Sequence, residues 1–288
     1  MTSAWEPVGA LLAIACFVQA GLLAAVVITP SLDVHRPSPG EWVARWFAFG
    51  VVLVSVQLVT LTQMGVPYSV WAVLVPWAVG WVGLVVWPKG RDRVRMYVAG
   101  FARGVQTASA AAWVLTAGVA VLVALMVGRS IVVPVSTWDG WAIWDLKARA
   151  FFLQGSLLPL LHQPSYGLAH LHYPPLVPLA GTTMYLFTGH PTTLVQTIGA
   201  CFYLATLVQV HSALRRLGAS SWLAALFSGG MALLPNVLFW SQHFQAEAPL
   251  LFYSLALTCW IAEWLRHERP EALRAASLFG AGLALTKV

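Results

Sequence analysis

Three carboxylates, Asp139, Asp145 and Glu247, stand in the polar stretches of a chain that otherwise reads as membrane. Of 288 residues, 59% are hydrophobic and only 9% charged, and mean hydropathy is +0.76. A carboxylate at a bilayer boundary is costly and is retained there for a task, such as accepting a proton or pairing with a cation. Cations are close by in sequence. Lys147 and Arg149 follow Asp145, and Asp145 and Arg149 have the i,i+4 spacing of a helical ion pair. Residues 138–152 read WDGWAIWDLKARAFF. On a helix, Trp141, Trp144, Ala148, Phe151 and Phe152 form one stripe, while Asp139, Asp145, Lys147 and Arg149 lie elsewhere. The expectation is an interfacial helix, aromatics toward lipid and charges toward water or a site, ended by Gly155.

The elements that position these residues are membrane spans. Apolar runs of spanning length occur at 8–29, 42–64, 70–87, 105–127, 194–214, 222–240 and 248–264, and a last one starts after Arg274. The expected fold is all-α: a polytopic integral membrane protein of about eight transmembrane helices with an outer-face loop carrying interfacial helices. No Lys or Arg precedes the first span, so it is read as retained and not as a cleaved signal. Cys16, Cys201 and Cys259 all fall in spans and carry neither a disulfide pattern nor metal-ligand spacing. The net charge of +6 is read as a mark of topology, with no nucleic-acid partner.

Placing Arg36, Arg45, Lys89, Arg91, Arg93, Arg95, Arg103, Arg215, Arg216, Arg266, Arg269 and Arg274 inside gives one consistent threading, N-terminus outside. The outer face then holds the loops 128–193 and 241–247. Arg129, Lys147 and Arg149 are the basic exceptions there. The apolar stretch 174–187 cannot be a crossing in this threading, and is expected as a short helix at or dipping into the outer interface. The chain divides into three N-terminal transmembrane helices (1–104) and a core (105–288) carrying outer loop 128–193. The segment 275–288 reaches roughly 21 Å as a helix, short of the hydrocarbon thickness, which leads to the expectation that the chain is the N-terminal part of a longer protein.

Several of these features recur together in one order. Asp139 follows a span. Lys147 and Arg149 lie on an amphipathic helix closed by Gly155. A turn Tyr173-Pro174-Pro175-Leu176 follows, then Glu247 with Pro249 opening a later span, and finally Gly282 to Lys287 in GLALTK. The series resembles the GT-C membrane glycosyltransferases, in particular the protein-O-mannosyltransferase and aminoarabinose-transferase branch (glycosyltransferase family 39-like), over roughly residues 105–288. In that family the catalytic loop follows the first span, whereas three further spans precede it here. The family also continues well past the LTK motif.

The resemblance implies a sugar transferred from a polyprenyl-phosphate donor to an acceptor of unknown kind at the outer face of a plasma (inner) membrane. Asp139 is then the candidate base. Glu247 is a second site acid that positions the acceptor, or helps to hold a metal where one is used. Lys147 and Arg149 are candidates for the lipid phosphate, as a point charge and a bidentate donor. His172 and Tyr173 would contact phosphate or acceptor, and Lys287 would lie near the phosphate. The residues alone also admit plainer roles: a helix-start acid for Asp139 and Glu247, headgroup snorkelling for the cations, and a structural pair for Asp145 with Arg149. His162, His170, His172 and His243 make no full metal-ligand set, so no cofactor or metal is expected. The alternative class is a non-catalytic membrane scaffold or a transporter-like protein. Against a transporter, no internal repeat appears, and the acids are interfacial, not in mid-span.

Overall fold

A computed structural model describes residues 5–28, 38–161 and 170–287. Arg36, His162 and Val288 lie outside the described residues. The rest is all-α, with no β-strand among the described residues. The helices are α1 (Glu6–Ile28), α2 (Pro39–Gln63), α3 (Val70–Val86), α4 (Pro88–Gln106), α5 (Ala110–Val132), α6 (Leu146–Gln154), α7 (Leu158–Leu161), α8 (Leu176–Thr188), α9 (Thr197–Arg216), α10 (Ser221–Ala232), α11 (Pro235–Ser241), α12 (Glu247–His267) and α13 (Pro270–Thr286). Serines open several of them: the Ser38, Ser69, Ser109 and Ser220 hydroxyls each accept from a backbone N–H of the first turn. Prolines at the first position start α2, α4, α11 and α13, where the missing N–H costs nothing.

Five helices are long and apolar enough to cross a membrane, or up to seven if α3–α4 and α10–α11 each count as one bent span. The expected eight therefore include α13, which has 17 residues. Pro88 and Pro235 break the two bent spans, by 100° and 67°. The first bend turns what was read as a loop into helix α4, so the following span starts at Ala110 and not at 105.

In hydrocarbon there is little apolar gain from helix contact, so close packing relies on small residues. The α1–α2 pair shows it. A Cβ on Gly21 would lie 1.7 Å from the Trp46 carbonyl oxygen, and one on Gly50 would lie 1.7 Å from that of Phe17. The two backbones touch there, and only glycine permits it.

The charges divide between two ends of the bundle. At one end Glu41 pairs with Arg45 and Arg216, and Arg274 reaches the Ile28 carbonyl. At the other, Glu6 accepts from Thr192 (2.7 Å) and pairs with His190 (3.0 Å). This is the sidedness that the threading demands of α1, α2, α9 and α13.

The stretch 174–187 forms the 13-residue helix α8, and its residues from Leu176 to Tyr185 are all buried. It is a short helix, as expected, and it packs into the protein against α6, α1 and α2. The helix carrying WDGWAIWD departs from expectation. Gly140–Asp145 is a π-helical turn leading into α6. Trp144, Ala148 and Phe151 are buried against protein, not lipid, although Trp141 is exposed. Asp145 and Lys147 are buried too, so these charges do not face water. Gly155 closes α6 in the left-handed conformation, φ 63°.

Candidate functional site

Four ties bring the loops 128–193 and 241–247 together. Arg129, at the end of α5, donates to the Gln242 carbonyl at 3.0 Å and to His243 Nε2 at 3.2 Å. Burial, helped by Arg129 and opposed by a hydrogen bond to Phe239, holds the His243 imidazole below its ordinary pKa. A neutral ring donates from Nδ1 to the Phe239 carbonyl and leaves Nε2 to accept. The loop lies directly on α9: a Cβ at Gly199 would meet the Ser241 and His243 carbonyls at 2.6 and 2.8 Å. Gln245 donates to Thr137, beside Asp139. Phe244 packs over Gly181 of α8. Arg129, one of the three outer basic exceptions, is thus a structural clasp.

Glu247 opens α12, and its Oε1 accepts from Lys287 Nζ at 3.0 Å. Its Oε2 is buried and has no hydrogen-bond partner among the described residues. Asp139 is close enough to Lys287 to act on it electrostatically. Lys287 also stands 5.7 Å from the Tyr173 ring centroid. Glu247 therefore binds this lysine directly, and Asp139 adds only a weaker electrostatic effect on it. Asp139 makes no capping hydrogen bond and has helical backbone angles, so it stands in the first turn of its helix, where an acid also suits the N-terminal dipole.

Tyr173 is the hinge between this acid pair and a second group. Its ring stacks on Trp144 (5.7 Å, 17°) and on His170 (5.0 Å, 12°), and His172, exposed, meets it edge-on at 4.7 Å. Lys147 Nζ lies 5.7 Å from both the Trp144 and Tyr173 rings and donates to the His170 carbonyl at 2.6 Å. His170 holds this carbonyl in place with a left-handed backbone, φ 48°, unusual for a residue with a side chain. Lys147 is only 2% exposed, and burial pulls its pKa down from 10.5 to about 8. An ammonium has three donors, and among the described residues a single hydrogen bond to protein is made here. Lys147 and Tyr173 share the lining of a cavity of about 220 Å³ whose other walls, Val59, Phe151, Leu157, Leu160, Leu171 and Pro175, are apolar.

Arg149 is not drawn into this group. Its Nε donates to Asp145 at 2.8 Å, and Tyr185 donates to the other oxygen of Asp145. The pair anticipated from i,i+4 spacing is present, and Tyr185 extends it to α8. Sequence reasoning missed the role of the His170 carbonyl, and nothing local marks it. It also missed the Glu6–His190–Thr192 tie, whose partners lie far apart in the chain. Among the described residues, no group of three or more His, Cys, Asp or Glu could hold a metal. Comparison with protein families, curated proteins and solved structures gave no match. What fold and site define together is a multi-span helical membrane protein with an acid–lysine–aromatic cluster at one end.

Proposed function

We propose that this chain is a glycosyltransferase that moves a sugar from a polyprenyl-phosphate donor to a hydroxyl acceptor at the outer face of the membrane. The supporting observation is Lys287, which binds Glu247, feels the charge of Asp139 and stands by the ring of Tyr173, whose other neighbour is a buried lysine on an apolar cavity. An apolar cavity with a cation on its wall suits a lipid that ends in phosphate. Asp139 takes the acceptor's hydroxyl proton as the oxygen attacks the sugar C1. The C1–O bond to phosphate breaks, and the electron pair leaves on the lipid phosphate beside Lys147. The unpartnered Oε2 of Glu247 receives a hydroxyl of the acceptor or sugar. Lys287 holds that carboxylate in place. His172, at the edge of the Tyr173 ring, borders the entry path. The plasma membrane is the proposed location.

The test is turnover of radiolabelled polyprenyl-phosphate sugar by membranes carrying wild type, Asp139→Asn or Glu247→Gln. Loss of turnover in both variants, with normal expression, is expected. Equal turnover in all three would remove the assignment. Donor binding without turnover in wild type would favour the non-catalytic scaffold.

A further inference from the structure

Helix α4 belongs to the opposite end of the bundle from this site and plays no part in it. It leaves α3 at an angle of 100°, so if α3 crosses the bilayer, α4 lies nearly flat along its far surface. One face is anchored. Gly90, Val94, Tyr97 and Phe101 recur at helical spacing on one side. Tyr97 donates to the Ala25 carbonyl at 2.9 Å and packs on Trp42 at 4.5 Å, and Phe101 packs on Trp46 at 5.8 Å. The helix is thereby held against the ends of α1 and α2.

The remaining faces are open and strongly basic. Lys89, Arg91, Arg95 and Arg103 are exposed, and Arg93 lies half-buried over the Trp87 ring at 5.2 Å. A single acid, Asp92, stands among them. It meets Arg95 at 3.8 Å with both side chains largely exposed, 66% and 70%, a pairing too wet to neutralise the patch. Apolar side chains are interleaved with the cations: Met96 is 44%, Val98 60% and Val105 36% exposed. A face built to meet a soluble polyanion has no use for exposed valines. A face set at the headgroup level needs both, apolar groups for the acyl boundary and cations for phosphate.

We infer that α4 is a docking surface for the anionic phospholipid headgroups of the leaflet opposite the candidate site. Its cations attract the negative surface, and its rigid attachment to α1 and α2 turns that attraction into a fixed depth for the bundle. This inference rests on the membrane-spanning fold and not on sugar transfer.

The experiment uses the full chain in phosphatidylcholine nanodiscs and compares spin-labelled phosphatidylglycerol with spin-labelled phosphatidylcholine as motionally restricted lipid. Wild type is expected to prefer the anionic lipid. Arg91→Gln with Arg95→Gln should weaken that preference by roughly 5-fold per cation removed. Raising salt on the wild type should weaken it without any mutation, and Lys89→Gln with Arg103→Gln repeats the test at the helix ends. Equal restriction of the two lipids by wild type would overturn the inference, as would a preference indifferent to salt and to both variants. Saturable binding of transfer RNA that displaces no anionic lipid would overturn it as well, since the face would then serve a soluble polyanion.

Discussion

Two buried charge groups sit at opposite ends of this bundle, and they are built differently. At one end Glu41 takes Arg216 at 2.6 Å and Arg45 at 3.7 Å, and the Arg45 guanidinium lies 4.4 Å from the Trp260 ring centroid. An acid from α2 is locked to a cation from α9, and α2, α9 and α12 are bound together. At the other end, among the described residues, Lys147 makes one hydrogen bond, to a carbonyl, and Glu247 keeps a buried oxygen with no partner. The Glu41 carboxylate is closely held by Arg216 in one place, although the neighbouring Arg45 Nε is buried without a partner among the described residues, and Lys147 and Glu247 are left with open valences in the other. A buried charge that has spent its bonds on protein holds the fold. One that has not carries a cost that the rest of the structure offsets, and beside a cavity, as for Lys147, it is where the proposed ligand would complete the bonding.

The contrast can be broken from either side. Asp139→Asn should lower turnover by about 10²–10⁴-fold, the usual contribution of a general base, with the melting temperature unchanged. Glu41→Gln should do the reverse. It strands Arg45 and Arg216 and should cost about 3 kcal/mol of stability, read by thermal melting in detergent, while donor affinity per folded molecule stays the same. A methyl at Gly50 would collide with the Phe17 carbonyl at 1.7 Å, so Gly50→Ala should cost about 2 kcal/mol by forcing α1 off α2. Arg149→Gln is the smallest change: about 1 kcal/mol or less of stability, because its side chain is 47% exposed and Tyr185 still satisfies Asp145. A larger effect on donor affinity than on melting would instead move Arg149 into the site.

What could be read from the sequence was whatever lies within one helix or follows from length. The Asp145–Arg149 pair, the Gly155 stop and the short helix near 174–187 all come from spacing, since a helix places neighbours by arithmetic. The segregation of basic residues follows from the cost of carrying them across lipid. What could not be read depends on contacts between distant segments. Arg216 meets Glu41 across 175 positions, and no pattern near either one announces it. The stripe of Trp144, Ala148 and Phe151 was legible, but not what it faces, since lipid and a buried helix such as α8 select the same apolar side chains. Helix α4 was hidden because its charges made it read as a loop. The order of Asp139, Tyr173 and Glu247 was visible in the chain. Lys287 meets Glu247 and Tyr173 from the far end of the chain, and Arg129 and Gln245 tie one loop to the other across more than a hundred positions.

Lys147 is the cation proposed to meet a lipid phosphate, and its depressed pKa makes that role measurable. The folded protein releases this proton at about 8, whereas an ordinary lysine keeps it to 10.5. Burial of the charge therefore weighs on stability below about pH 8, and that weight lifts as pH rises toward 10.5. Phosphate binding needs the charge, so its dependence runs the other way. The direct measurement is the affinity of the full chain for polyprenyl phosphate from pH 6.5 to 9.5, in wild type and Lys147→Gln. The prediction is wild-type affinity that holds at low pH and falls as pH passes about 8, beside weak binding in the variant with no such fall. Identical pH profiles in the two proteins would contradict the account.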